Sequence, residues 1–196
     1  MASLAAHKYG ISLTDNHLPM GSLDQGLDDV VSGLYLRTID AAPIVDACAR
    51  SVRPEATLVT RLESVYPADP SVAVTLFLNR VRLLPGEAIY LTPGNLHAYL
   101  EGVGVEVMGA SDNVVRGGLT RKHVDVEELL RVLVFQPLAQ PSVQPVERSH
   151  GTWRYPTPGA PFRVERLELT HPQSVQARSA TVLLCTDGDA APLARG

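Results

Sequence analysis

The chain has few cysteines and no long apolar run, and both absences narrow the class of protein. Its 196 residues include two cysteines, Cys48 and Cys185, far apart in the sequence. Two distant thiols exclude a disulfide framework and a cysteine-rich zinc site, and they indicate a reducing compartment. No apolar run reaches the roughly eighteen residues of a membrane span, and MASLAAHKYG has no apolar core of signal-peptide length. We therefore expect a cytoplasmic protein with no membrane partner.

Clustered basic charge is also missing. The formal net charge is −4, from 17 Lys and Arg against 21 Asp and Glu. Because nucleic-acid binding needs a basic patch or stripe, we expect no nucleic-acid partner. A chain of this length forms one large domain or parts of two, with enough residues to bury a hydrophobic core.

The local pattern of the sequence changes near residue 80, from helical periodicity to short extended runs. Before that point apolar residues recur at helical spacing, as in Leu58, Leu62 and Val65. After it, turn residues separate short strands, and the late run ATVLLCT is typical of a buried strand. The predicted units are a helical segment over 1–78, a β region over 79–137, a Pro-rich connection over 138–163 and a further β unit over 164–196.

The stretch from Pro93 to Val126 holds most of the candidate chemistry. Its alternating valines at 103, 105 and 107 predict a strand with one buried face, which puts Glu106 on the opposite face. An imidazole, carboxylates and two cations on one β-scaffold suit an anionic, oxygen-rich ligand. These polar residues are His97, Glu106, Asp112, Arg116 and Lys122. Charges scattered for solubility produce a similar pattern, so the pattern alone leaves both interpretations open.

From His97 to Lys122 the stretch is HAYLEGVGVEVMGASDNVVRGGLTRK. It resembles the signature of type I mannose-6-phosphate isomerases, in which HAY, E-x-M, SDN and R-x-G-x-T-x-K follow one another at fixed spacing. The flanking runs TRLESVYPADP, LNRVRLLPGEAIYL and HVDVEELLRVLVFQP resemble the same family, so the likeness extends from about 58 to 137. Gly109 and Gly117 stand where Ala is usual, and Arg121 where Pro is usual.

The resemblance implies a fold, a reaction and a cofactor. The implied fold is mixed, mainly β: part of a cupin-like jelly-roll barrel preceded by a helical segment, with the start of a second, C-terminal β barrel. The family interconverts mannose 6-phosphate and fructose 6-phosphate through an enediol, using one divalent metal, usually zinc. Such a reaction needs a base, an electrophile for the developing oxyanion and cations for the phosphate. The implied partner is therefore a sugar phosphate and the implied cofactor zinc.

The resemblance also implies which residues contact the metal and the anion. His97 matches a metal ligand, since a neutral imidazole suits zinc. Arg116 matches a catalytic residue, because a planar guanidinium holds an oxyanion or a phosphate in a bidentate way. Lys122, a point charge six residues further on, matches a substrate-binding residue at the phosphate.

Three further residues complete the predicted site. Glu106 and Asp112 are the other catalytic candidates, Glu106 in proton transfer and Asp112 in orienting Arg116 or a substrate hydroxyl. Tyr99 is a substrate-binding candidate that lines the pocket. The alternatives are a solvated strand face for Glu106 and simple turn chemistry for the Ser-Asp-Asn sequence around Asp112.

Most of the metal ligands that the family uses are not recognisable in this sequence. The family adds a Gln-x-His pair and an NHKPE-like motif, whereas the nearest string here, DNHLP at 15–19, lacks the Lys and the Glu. We therefore interpret the chain as an internal piece of the enzyme with an incomplete metal site. The alternatives are a non-catalytic cupin-like sugar-phosphate binder or inactive remnant, and a module that pairs with a chain carrying the missing ligands. Unpaired strand edges favour such association.

Overall fold

The computed structural model describes most of the chain. The described residues are 3–6, 9–13, 26–111, 113–136, 138, 141–175, 179–189 and 191. No helix among them is long and apolar enough to cross a membrane.

A helical layer precedes the main run of strands. Its elements are α1 (Leu27–Tyr35), α2 (Ala42–Ala49), α3 (Pro54–Val65), α4 (Ser71–Val74) and a 3₁₀ turn (Thr75–Phe77). Prolines stand in the first turns of α2 and α3, where a missing N–H leaves no intrahelical bond unmade. The predicted apolar stripe of α3 is confirmed at Leu58 and Leu62, which are buried, and ends at Val65, which is 51% exposed.

Short strands form three antiparallel sheets in the described part of the chain. The strands are β1 (Ser3–Ala6), β2 (Tyr9–Leu13), β3 (Leu78–Arg82), β4 (Ala88–Leu91), β5 (His97–Tyr99), β6 (Val105–Met108), β7 (Ser142–Val143), β8 (Val146–Ser149), β9 (Thr152–Tyr155) and β10 (Val164–Leu167). Sheet one has the order β6-β1-β4-β7, sheet two β3-β2-β5 and sheet three β10-β9-β8. Helix α5 (Val126–Val132) lies between β6 and β7 in the sequence.

The beginning of the chain corrects the prediction of a helical segment from residue 1. Strand β1 pairs with both β4 and β6, and β2 pairs with both β3 and β5. Residues 3–6 and 9–13 therefore supply an internal strand to each of the first two sheets, and the first described helix begins at Leu27. Strands of four and five residues are too short to show a period, so their state depends on distant pairing partners.

The first two sheets share a hydrophobic cluster that defines their inner faces. Ile89 and Leu91 of β4 are buried with Leu83, and Val81 of β3 packs against them. Because side chains alternate along a strand, Ile89 marks the inner face of sheet one and Val81 the inner face of sheet two. The helical layer has its own clusters, one of them centred on Val31 and Leu34 of α1.

Sheet three packs on the other face of β4. Ala88 is buried against Tyr155 of β9, and Tyr155 Oη donates a hydrogen bond to the Gly86 carbonyl oxygen at 2.6 Å. Strand β10 confirms the extended conformation predicted for RVERLELT. The prediction of a buried strand at ATVLLCT is wrong, because 181–186 forms no strand and Val182 is 94% exposed. An apolar run becomes a buried strand only beside a neighbour, and in the described chain this run pairs with none.

The architecture is a mixture of helices and small sheets. Helices account for at least as many described residues as strands do, so the prediction of a mainly β chain is corrected to a mixed one. The described strands form no closed barrel. The division into four units at 78, 137 and 163 stays a prediction.

Candidate active site

The register of the sheets brings three predicted site residues onto facing surfaces. Tyr99 of β5 and Val81 of β3 have the same partner residue on β2, so Tyr99 lies on the inner face of sheet two. His97, two residues earlier, lies on the same face. Glu106 of β6 and Ile89 of β4 have the same partner on β1, which puts Glu106 on the inner face of sheet one. The three side chains therefore face one space between the sheets.

The valines around Glu106 do not form the buried face that their alternation predicted. Val103 is 94% exposed and precedes the strand, and Val105 is 38% exposed. The alternation itself holds, since Glu106 lies opposite Val105 and Val107. Strand β6 is an edge of sheet one, which explains why its outward valines remain accessible to water.

The imidazole of His97 is oriented by the turn that precedes it. His97 Nδ1 lies 3.0 Å from the carbonyl oxygen of Asn95. Because a carbonyl oxygen only accepts, Nδ1 carries the proton, and in the neutral ring Nε2 keeps its lone pair. This is the tautomer of a histidine that binds metal through Nε2 with its other nitrogen held by a carbonyl. The ring also meets Tyr99 edge to face, with centroids 5.9 Å apart.

A small cavity lies beside His97 at the junction with the helical layer. Its volume is about 40 Å³, which suits a water molecule or two and is far too small for a sugar phosphate. The cavity is also lined by Tyr35, Ser71 and residues 117–119. Tyr35 and Ser71 did not stand out in the sequence, because their position beside the cavity depends on tertiary packing.

Tyr99 and Glu106 interact across the two inner faces. Burial raises the pKa of the Tyr99 phenol, and the adjacent Glu106 carboxylate, which accepts its hydrogen bond, raises that pKa further. The phenol therefore remains protonated and donates to Glu106. This contact holds a carboxylate at the open edge of the space between the sheets, where Glu106 is exposed.

The two predicted cations lie on one irregular segment. We call residues 116–122 the cation segment; it contains neither helix nor strand. Arg116 and Lys122 are exposed, and neither side chain makes an ion pair or hydrogen bond with another described residue. Because no described carboxylate neutralises them, both cations are available to contact an anion.

Among the described residues, the donor set for a metal ion is incomplete. His97 fits zinc as one ligand, by type and tautomer. No group of three or more His, Cys, Asp or Glu side chains in this part of the chain is placed to hold a metal ion. Asp112, the remaining predicted site residue, lies outside the described residues. We therefore assign no step of the chemistry to a metal.

Comparison with known proteins identifies relatives in sequence. The chain is 39% identical over 132 residues to the mannose-6-phosphate isomerase of Escherichia coli (strain K12), across 66% of this chain and 34% of the relative. It is 40% identical over 126 residues to mannose-6-phosphate isomerase 2 of Arabidopsis thaliana, across 64% of this chain and 28% of that one. This chain is related to the mannose-6-phosphate isomerases. The resemblance found in the motif is thereby confirmed, although no protein-family model matches the chain.

Solved structures of mannose-6-phosphate isomerases also share the fold. The Salmonella typhimurium enzyme bound to substrate and a zinc atom matches with a TM-score of 0.70 at 25% identity, over 81% of this chain and 48% of that one. Its apo form matches with a TM-score of 0.71, over 84% of this chain and 49% of that one. The chain thus spans about a third of the length of the first curated relative and half of these structures.

Proposed function

We propose that this chain forms part of a mannose-6-phosphate isomerase, which interconverts mannose 6-phosphate and fructose 6-phosphate by proton transfer through an enediol. The observation that carries the proposal is the convergence of His97, Tyr99 and Glu106 on facing inner surfaces, at positions matching the family signature. We also propose that sheets one and two belong to a cupin-like barrel, and that β8, β9 and β10 begin a C-terminal one.

The proposed roles follow from the chemistry of each group. Glu106, exposed and hydrogen-bonded by Tyr99, exchanges the proton between the two sugar carbons. Arg116 binds the developing oxyanion or the phosphate in a bidentate way, and Lys122 adds a second positive charge. Asp112 orients Arg116 or a substrate hydroxyl.

Among the described residues, His97 is the one that we propose as a zinc ligand. A divalent metal polarises the substrate oxygens when it is bound. Relatives of known structure contain zinc, and the Nε2 of His97 is suited to donate one bond. The remaining ligands are not found among the described residues.

A sugar-phosphate binder without isomerase activity is the second candidate. The observation that favours it is the incomplete metal site just described. Such a binder retains Arg116 and Lys122 as anion contacts, and it loses the polarisation that the enediol step requires.

Two measurements on one preparation test the proposal. Calorimetric titration with fructose 6-phosphate is expected to show binding that weakens as salt is added, because exposed charge pairs are screened. Lys122→Ala is expected to weaken that binding, and Arg148→Ala, an exposed arginine on β8, serves as the matched control. A coupled assay of mannose 6-phosphate conversion, with and without added zinc, then separates the enzyme from the binder. Absence of both binding and conversion contradicts the proposal.

A further inference from the structure

Hydrogen bonds from the helical layer hold the cation segment in place. Tyr35, the last residue of α1, is only 4% exposed. Its Oη donates a hydrogen bond to the carbonyl oxygen of Gly117, directly after Arg116 in the chain. This bond connects residues 82 positions apart, so the sequence alone does not reveal it.

A second anchor lies two residues further along the segment. The backbone N–H of Leu119 donates to Asp69 Oδ2 at 3.0 Å and to Ser71 Oγ at 2.9 Å. Ser71 Oγ in turn donates to Asp69 Oδ1 at 2.6 Å. Because the hydroxyl proton is directed to Asp69, the serine oxygen remains an acceptor for Leu119, and the three groups form a closed triangle.

The fit between the segment and these anchors is tight. A Cβ added at Gly118, whose φ is +114°, would lie 2.1 Å from Ser71 Oγ. Leu119 has a φ of +49°, a left-handed conformation that is strained for a residue with a side chain. Such a conformation persists where surrounding bonds over-determine it, and here the bonds to Asp69 and Ser71 do so.

The anchored backbone and His97 share one cavity. Tyr35, Ser71 and residues 117–119 line the same cavity as His97. A displacement of the anchored backbone therefore changes the distance from the imidazole to Arg116 and Lys122, which the segment carries.

We propose that Tyr35, Asp69 and Ser71 are positioning residues, which set the placement of Arg116 and Lys122 relative to His97. The benefit for substrate binding rests on the proposed function, whereas the anchoring stands on the contacts themselves. The Tyr35 phenol keeps its proton for this role, because burial raises its pKa and the Asp69 carboxylate adds to that effect.

Trypsin tests the anchoring directly, because Arg116, Arg121 and Lys122 are exposed cleavage positions within the segment. Tyr35→Phe and Ser71→Ala each remove one anchoring hydroxyl. We expect cleavage at these positions to accelerate by about five- to tenfold, since cleavage follows the local opening that one buried hydrogen bond opposes.

The matched control is Tyr155→Phe. Tyr155 is 5% exposed and also donates to a glycine carbonyl, that of Gly86, but it lies in sheet three. We expect no acceleration within 116–122 in this variant. Unchanged cleavage in Tyr35→Phe, or equal acceleration in the control, overturns the proposal. Since Tyr35→Phe removes a single oxygen, it keeps the test valid if Ser71→Ala does not fold.

Affinity for fructose 6-phosphate provides the functional measurement. Calorimetry is expected to show a dissociation constant several-fold higher in Tyr35→Phe and unchanged in Tyr155→Phe. Faster cleavage with unchanged affinity in Tyr35→Phe overturns the positioning role. If the unsubstituted chain binds no fructose 6-phosphate, the proposed function fails on that result, and the trypsin comparison still decides the anchoring.

Discussion

At the scale of single residues, the contact between Tyr99 and Glu106 links the inner faces of two sheets. The phenol donates to the carboxylate, and both groups remain near the open edge of the space between the sheets. His97 Nδ1 is held by the Asn95 carbonyl oxygen. Three of the proposed functional side chains therefore have their orientation set by neighbours. A Cβ at Gly109 would meet only ordinary contact distances. One at Gly117 would lie 2.0 Å from Leu96 Cδ1, so the Leu96 side chain would have to move.

Replacing Glu106 by Gln should lower the pKa of Tyr99. The carboxylate contributes to the raised value through its charge and its hydrogen bond, but burial contributes most. The pKa is therefore expected to move toward the ordinary value of about 10 without reaching it. NMR titration of carbon-labelled tyrosine measures the change, with Glu147→Gln on β8 as the control. If the pKa of Tyr99 is unchanged in Glu106→Gln, the contact between Tyr99 and Glu106 is excluded.

Replacing Arg116 by Ala should weaken fructose 6-phosphate binding by about ten- to hundredfold, the usual effect of losing a hydrogen-bonded charge. Stability should be unaffected, because Arg116 is exposed and makes no ion pair with another described residue. Calorimetry and urea denaturation of the same preparations measure the two quantities. If Arg148→Ala weakens binding as much as Arg116→Ala does, the loss reflects general charge, and Arg116 has no specific part in the site.

At the scale of elements, strand order and helix caps decide where the site lies. Strands β5 and β6 belong to different sheets, and β1 and β2 supply the pairing that sets their register. Helix α5 follows the cation segment and begins at Val126, where Asp125 Oδ1 accepts the N–H of Glu128 at 3.0 Å. The Asp-x-x-Glu spacing at 125 and 128 is the sequence pattern of such a cap. The exposed pair of Glu128 and Arg131 adds little to stability.

Asp125→Ala should destabilise the protein by about 0.5–2 kcal/mol, because a helix N-terminal N–H loses its acceptor. Urea denaturation measures the shift in midpoint. Asp29→Ala is the control, since Asp29 stands in the first turn of α1, where no side chain caps the helix. Equal losses in the two variants would show that general charge near a helix start, rather than the cap, is responsible.

At the scale of the whole molecule, the chain combines a helical layer, two facing sheets and a third sheet behind β4. The layer positions the cation segment, and the sheets position the imidazole and the carboxylate. Strands β6 and β7 are the edges of sheet one, and association of chains through such edges stays a prediction.

Zinc should bind weakly to the chelator-rinsed chain, well below one ion per molecule. A zinc site takes at least three protein ligands, and the described residues supply His97 without a further clustered donor. Elemental analysis after dialysis measures the content, and His97→Ala is expected to reduce any residual binding. Near-stoichiometric zinc would contradict this expectation and indicate ligands beyond the described residues.

The sequence by itself carried the resemblance to the mannose-6-phosphate isomerases, the apolar stripe of α3 and the choice of the candidate site residues. The resemblance rests on polar residues at fixed spacing between 97 and 122, and α3 was predicted from the helical period of its apolar residues. Both patterns are local and long enough to exceed chance. The capping pattern at Asp125 is also local, because Asp125 and Glu128 are three residues apart. The roles of all six candidates, His97, Tyr99, Glu106, Asp112, Arg116 and Lys122, remain predictions.

Tertiary structure alone decided the rest. Residues 3–6 and 9–13 are strands only through partners about 70 to 100 positions away. The run ATVLLCT forms no strand, because in the described part of the chain it has no pairing partner. The anchors Tyr35, Asp69 and Ser71 meet the cation segment across 48 to 82 positions. Propensity and periodicity report only on near neighbours along the chain. Pairing and anchoring depend on which distant groups packing brings within hydrogen-bond reach.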